Sequence, residues 1–122
     1  MRILVADDHT ATRHRIAAQL TASLGRTADV VVASTGFEAL ALFERAHREG
    51  RPFELVVLDV AMPMCDGISV ARSLRTDGRF VALPPIWGLV GTEGPVAEGW
   101  PFDQVWGKDV GEIMASSLRR AA

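Results

Sequence analysis

Short apolar runs alternate along this chain with stretches of helical period. The first run, Ile3-Leu4-Val5-Ala6, stops at Asp7-Asp8; Ile16, Ala17, Leu20 and Leu24 then recur on one helix face, with Gly25 as a stop. A β-branched run, Val30 to Ala33, reads as a buried strand. Thr35 and Glu38 have the spacing of a capping box, in which Thr35 caps a helix and Glu38 reaches back; Ala39, Leu40, Phe43 and Ala46 share a face of that helix, which ends near Gly50. The third strand is expected over Phe53 to Leu58, immediately before Asp59, followed by a loop with Pro63 and Gly67 and a helix through Ile68, Ala71 and Leu74. Ile86 to Val90 predicts a fourth strand and Gln104 to Gly107 a weak fifth. Asp109 and Glu112 predict the cap of a last helix carrying Val110, Ile113, Met114 and Leu118.

Strands alternating with helices in this way build βα units around a parallel sheet. No repeat or linker interrupts them, so residues 1–122 read as a single domain. The exception is Gly91 to Pro101, where Gly91, Gly94, Pro95, Gly99 and Pro101 oppose a regular helix. Interior glycine and proline cost about 1 and 3 kcal/mol, which predicts a loop with at most one turn.

Composition narrows the function classes. The 48% hydrophobic and 23% charged residues are ordinary for a soluble domain, and no run approaches the roughly 20 apolar residues of a membrane span. A net charge of −2, with basic residues scattered except at Arg13, Arg15 and Arg119, Arg120, opposes a dedicated nucleic-acid binder. Cys65 is the single cysteine, so no intrachain disulfide forms, and MRILVADD meets two aspartates too early for a signal peptide; the expected compartment is the cytoplasm.

In open parallel sheets, functional side chains gather at the carboxyl ends of the strands. Asp7, Asp8 and Asp59 all stand there, and adjacency of the first and third strands would bring three carboxylates into one cleft. Such a cluster repels itself unless a cation neutralises it. Hard oxygen donors suit magnesium, which completes its shell with water and phosphate oxygens. An acceptor carboxylate, magnesium and a lysine are the requirements of phosphoryl transfer, which depends on positioning and charge neutralisation.

With ILVADD at the start, LVVLDVAMPMCDG in the middle and Lys108 after the fifth strand, the sequence resembles the receiver domains of response regulators in two-component signalling, over nearly its whole length. The resemblance implies an α/β fold, a doubly wound five-stranded parallel sheet of order 2-1-3-4-5 (flavodoxin-like), here with a shortened or irregular helix after the fourth strand. It implies that Asp59 accepts a phosphoryl group from the phosphohistidine of a histidine kinase or phosphotransfer protein. Asp8 would hold Mg2+ directly and Asp7 directly or through water. Asp59 and the backbone carbonyl of Ala61 would complete the protein ligands. Lys108 would pair with Asp59 at rest and with phosphoryl oxygens afterwards. The expected activity is self-phosphorylation and slow self-dephosphorylation rather than turnover of an external substrate. A second copy of the chain is a further candidate partner. Nucleic acid and membrane are not expected to bind this domain.

Four departures from the family pattern stand beside the match. The hydroxyl residue ending the fourth strand is replaced by Leu89 or Val90, neither of which donates a hydrogen bond, and Thr92 comes one or two positions late. The aromatic residue three before the lysine is Val105, with Trp106 on the opposite strand face. Asp109 stands where the family has a proline, usually cis, which predicts a trans bond and a shifted Lys108. The helix after the fourth strand is rich in breakers. These departures support a second reading, a pseudo-receiver that docks partners independently of phosphorylation.

A flavin site is opposed by the two negative charges that begin DDHTAT, and a haloacid-type phosphatase would want D-x-D. His9 reads as an exposed helix-start residue, with a role as ligand or proton carrier in the cleft as the alternative. Cys65 reads as a small filler of the acceptor loop, and Trp87, Trp100 and Trp106 as packing in or beside the sheet.

Overall fold

The computed structural model describes residues 1–91 and 98–121, without the side chains of residues 110 and 119–121. Strands β1 (Arg2–Ala6), β2 (Asp29–Ala33), β3 (Leu55–Asp59), β4 (Ile86–Val90) and β5 (Gln104–Gly107) form one sheet in the order β2-β1-β3-β4-β5. All its strand pairs are parallel. Helices α1 (Thr10–Leu24), α2 (Gly36–Arg48), α3 (Gly67–Thr76) and α4 (Gly111–Ala121) cover both faces. The flavodoxin-like order expected from the resemblance is the observed one.

Alternation along each strand divides the core in two. Leu4, Ala6, Val56, Leu58 and Ile86 face α2 and α3, where Phe43, Val70 and Leu74 are buried. Ile3, Val5, Leu55, Val57, Trp87 and Leu89 face α1 and α4, packing on Ile16, Leu20, Met114 and Leu118. Trp87 and Trp106 lie on this second face with ring centroids 5.6 Å apart. Trp100 sits edge-on to Phe102, and the Phe102 ring occupies the space left by the missing side chain of Gly88.

The helix ends follow local chemistry. Thr35 accepts from the Glu38 amide at 3.0 Å, while the Glu38 carboxylate takes a 3.3 Å bond from the Ser34 hydroxyl. Asp66 caps α3 through the Ser69 amide at 2.7 Å. Gly25 ends α1 at φ 65°, a conformation that favours glycine.

Three boundaries differ from the sequence expectation. β3 starts at Leu55 rather than Phe53, because Pro52 has no amide to give a ladder and the Phe53 ring turns into the core beside Phe43. It runs on through Asp59, which pairs with Leu89. Asp109 does not cap the last helix: Lys108–Val110 form a 3-10 turn and α4 begins at Gly111. Gly111 lies so close to α1 that a Cβ there would stand 2.8 Å from Ile16 Cδ1, and the chain is drawn onto α1 before the helix starts. Within the stretch Gly91 to Pro101, Thr92 and its neighbours through residue 97 lie outside the described residues.

Candidate functional site

β1 and β3 are neighbours in register, with Ala6 opposite Leu58. Asp7 and Asp59, the next residue of each, therefore emerge level at the carboxyl edge of the sheet. Both share strand phase with Val5 and Val57 and are buried, at 0% and 1% exposure. Asp8 lies beside them, half-buried. Lys108 follows directly from β5 and crosses β4 to reach them: its Nζ stands 3.1 Å from Asp7 Oδ2 and 3.0 Å from Asp59 Oδ2. The Lys108–Asp109 bond is trans, as are the other described peptide bonds, and it does not carry the ammonium out of reach of the cleft.

Each buried carboxylate has its other oxygen tied to the main chain. Asp7 Oδ1 accepts from the His9 amide at 2.8 Å, and Asp59 Oδ1 from the Ala61 amide at 3.1 Å. That second bond places Ala61 at the head of the acceptor loop, where the residue is exposed. The loop is held to the sheet by the Val60 amide on the Leu89 carbonyl and the Gly67 amide on the Val60 carbonyl, at 2.9 and 3.2 Å. Gly67 has no room for a side chain, since a Cβ would meet the Asp59 carbonyl oxygen at 2.4 Å. Met64, at the loop's tip, is 94% exposed with φ 69°. Cys65 is buried against Gly36, and burial followed by the nearby Asp66 charge pushes its thiol up.

The electrostatics favour a cation. Burial, reinforced by the Asp7 charge, raises the Asp59 pKa against the opposing pull of Lys108 and the Ala61 amide. Burial also works against the Lys108 ammonium, but its contacts with Asp59 and Asp7 outweigh that and leave its pKa raised. Asp7 Oδ2, Asp8 Oδ1 and Asp59 Oδ2 are buried, yet none receives an aligned hydrogen bond; Lys108 meets two of them at ion-pair distance only. Three carboxylates against one ammonium leave an excess of two negative charges, the charge of one divalent cation. Oxygens of Asp7, Asp8 and Asp59, together with a nitrogen of His9, lie within 4.8 Å of one another. The donor set thus fits a magnesium-sized hard cation.

A sequence model of the response regulator receiver domain matches residues 3–93, most of the chain. The chain belongs to that family. Among curated relatives, the receiver domain is 37% identical over 89 residues to the sensor protein EvgS of Escherichia coli K12, covering 73% of this chain and 6% of that protein. It is 40% identical over 76 residues to the probable transcriptional regulator ycf27 of Porphyridium aerugineum, covering 62% of this chain and 28% of that one. The receiver domain thus spans a small part of the length of these relatives. Among solved structures, it superposes on the receiver domain of the histidine kinase CKI1 from Arabidopsis thaliana, complexed with Mg2+ and BeF3−, with TM-score 0.78 and 24% identity, covering 98% and 87% of the two chains. The chemotaxis protein CheY4 of Vibrio cholerae gives TM-score 0.78 and 23% identity, covering 99% and 98%. Among the described residues, no helix is long and apolar enough to cross a membrane.

The structure therefore gathers Asp7, Asp8, Asp59 and Lys108 in one cleft of the receiver domain, with the Ala61 amide on Asp59. Two contributors escaped the sequence reading. Arg13 donates from Nη1 to the Asp7 carbonyl at 2.9 Å, and Arg15 donates from Nη2 to the Lys108 carbonyl at 2.8 Å. Their only sequence signal was a pair of basic residues on the helix that follows the acidic pair. Leu89 is fully buried on the α1 and α4 face, opposite Asp59 in the β3–β4 register.

Proposed function

We propose that this receiver domain accepts a phosphoryl group on Asp59 from the phosphohistidine of a histidine kinase or phosphotransfer protein, in the cytoplasm. The observation that carries the reading is Asp59 itself: a buried carboxylate with one oxygen fixed by a main-chain amide and the other facing an ammonium and two further carboxylates. A relative fold is known as a complex with Mg2+ and BeF3−, and this supports the same chemistry here. Magnesium, held by Asp7, Asp8, Asp59 and the Ala61 carbonyl, would supply the charge neutralisation that phosphoryl oxygens need.

This chain's own residues do the rest. A carboxylate oxygen of Asp59 forms an O–P bond while the donor's N–P bond breaks, the electron pair staying on the departing imidazole nitrogen, which takes up a proton. The Ala61 amide fixes the rotamer of the nucleophile. Lys108, with its pKa raised, stays charged at neutral pH and is placed to pass from Asp59 to the incoming phosphoryl oxygens. Water attack on phosphorus later restores the carboxylate and releases inorganic phosphate. The domain turns over no external substrate in this reading.

Incubation with acetyl phosphate, followed by intact mass, tests it. Wild type gains one phosphoryl group only with Mg2+, Asp59→Ala gains none, and Asp8→Ala loses most Mg2+ binding. Label retained by Asp59→Ala would move the acceptor elsewhere. The second reading, a phosphorylation-independent docking module, is favoured by Leu89, Val90 and Val105, which offer a phosphoryl group no fourth-strand hydroxyl and no aromatic switch. It predicts a wild-type protein that stays unlabelled.

A further inference from the structure

Arg13 sits one turn into α1, at the end of the helix where a cation is least favoured. The amino end of a helix carries partial positive charge, which attracts anions and repels cations. Helical side chains lean towards that end, and Arg13 follows the lean back to the main chain that precedes the helix. Its Nη1 donates to the Asp7 carbonyl at 2.9 Å, in a partly buried position.

That carbonyl belongs to the peptide joining Asp7 to Asp8. The groups around the peptide are held by other partners. The Asp7 amide donates to the Ala33 carbonyl at 3.1 Å, and Asp7 Oδ1 accepts from the His9 amide at 2.8 Å. The His9 carbonyl accepts from the Arg13 amide at 2.9 Å. Among the described residues, the Arg13 guanidinium is the hydrogen-bond partner of the Asp7–Asp8 peptide itself. Asp8 needs that support. Its Oδ1 is buried with no hydrogen-bond partner among the described residues, and the mostly exposed His9 imidazole stands 3.2 Å away without an aligned bond. The direction in which the Asp8 side chain leaves the main chain is therefore set by the peptide that Arg13 grips.

We propose that Arg13 is a positioning residue for the divalent cation, acting through the Asp7–Asp8 peptide to aim the Asp8 carboxylate into the cleft. The inference rests on Asp8 holding Mg2+, as in the function proposed above, and adds the residue that sets its aim. A positioning role and a plain charge effect have opposite signs. Arg13 is a cation near a cation site, so removing its charge alone would strengthen the pull of the carboxylates on Mg2+. Removing the anchor of the peptide lets Asp8 turn away, and Mg2+ then binds more weakly.

The test titrates the whole chain with Mg2+ by calorimetry and records amide NMR of the metal-free protein. Arg13→Met keeps the aliphatic stem and removes the donor and the charge. Its Mg2+ dissociation constant rises about tenfold, the lower end of what an outer partner of a metal ligand is worth. In EDTA the variant melts close to wild type, and its Asp8 amide resonance moves while that of Asp59 stays. Arg13→Lys, which keeps a donor on a shorter stem, recovers part of the affinity. His14→Ala, at the exposed next position, binds Mg2+ as wild type does. An affinity unchanged or raised in Arg13→Met, or equally low in Arg13→Lys, overturns the proposal and leaves the acidic site in place. Absence of Mg2+ binding by wild type overturns both. Binding of Mg2+ without labelling by acetyl phosphate overturns the acceptor reading alone, because the Arg13 comparison is made on affinity.

Discussion

The guanidinium of Arg15 on α1 is bonded to the main-chain carbonyl of Lys108 at 2.8 Å, across 93 positions of sequence. Lys108 begins a 3-10 turn that has no proline to stiffen it. Arg15 ties that turn to α1, and with it the point from which the Lys108 side chain leaves for Asp7 and Asp59. Arg15→Ala is expected to lower the initial rate of Asp59 labelling by acetyl phosphate about fivefold, equivalent to a hydrogen bond of about 1 kcal/mol. Arg15→Lys should recover part of it. Because Arg15 is exposed, the melting temperature should move little, and a rate unchanged in Arg15→Ala would remove the residue from the site's support.

The buried Asp59 predicts a pH-dependent stability. Its folded pKa is raised above the ordinary 3.8, first by burial and then by Asp7. The native state therefore binds that proton more tightly than the unfolded chain, and stability falls as pH rises through the interval from 3.8 to the raised value. Lys108 acts in the alkaline range: its contribution is full below 10.5 and is lost as pH rises through its raised folded pKa. In EDTA at pH 7.5, Asp59→Asn should melt roughly 2–5 °C higher than wild type, an advantage that disappears below pH 3.8. Scanning calorimetry at both pH values checks the sign.

Gly67→Ala should cost roughly 1–3 kcal/mol, because the added carbon would overlap the Asp59 carbonyl oxygen and no flexible side chain can yield. Urea denaturation measures the loss. A control at Gly78, where a Cβ meets nothing within 4 Å, should be nearly neutral.

Coupling from Asp59 to the far edge of the sheet should be weak. A ligand shifts an equilibrium only through its different interactions with the two states. Leu89 and Val90 give a phosphoryl group no hydrogen bond, and Trp106 is already packed against Trp87 in the α1 and α4 core. Beryllofluoride should therefore perturb amides near Asp8, Asp59 and Lys108, and leave β5 and α4 almost unmoved in amide NMR. The coupling should stay below the usual 1–3 kcal/mol of allosteric systems. Large shifts along β5 and α4 would show a relay through another residue.

Strand runs, helix faces and the caps at Thr35 and the stop at Gly25 were legible in the sequence because each depends on neighbours a few positions away. The chemistry of the strand-end aspartates was legible for the same reason: an apolar run ending in Asp is visible locally, and their convergence followed from placing the first and third strands side by side. Tertiary structure decided what no local pattern contains. The start of α4 moved from Asp109 to Gly111 because close packing on Ile16 draws the chain in first. β3 ran on through Asp59 because its partner is Leu89, a residue 30 positions away. The support of the Lys108 carbonyl by Arg15 and the double contact of the Lys108 ammonium with Asp7 and Asp59 depend on groups from separate elements meeting over about 3 Å. Such distances are set by sheet register and helix docking, which sum the burial of many side chains, so spacing along the chain carries no record of them.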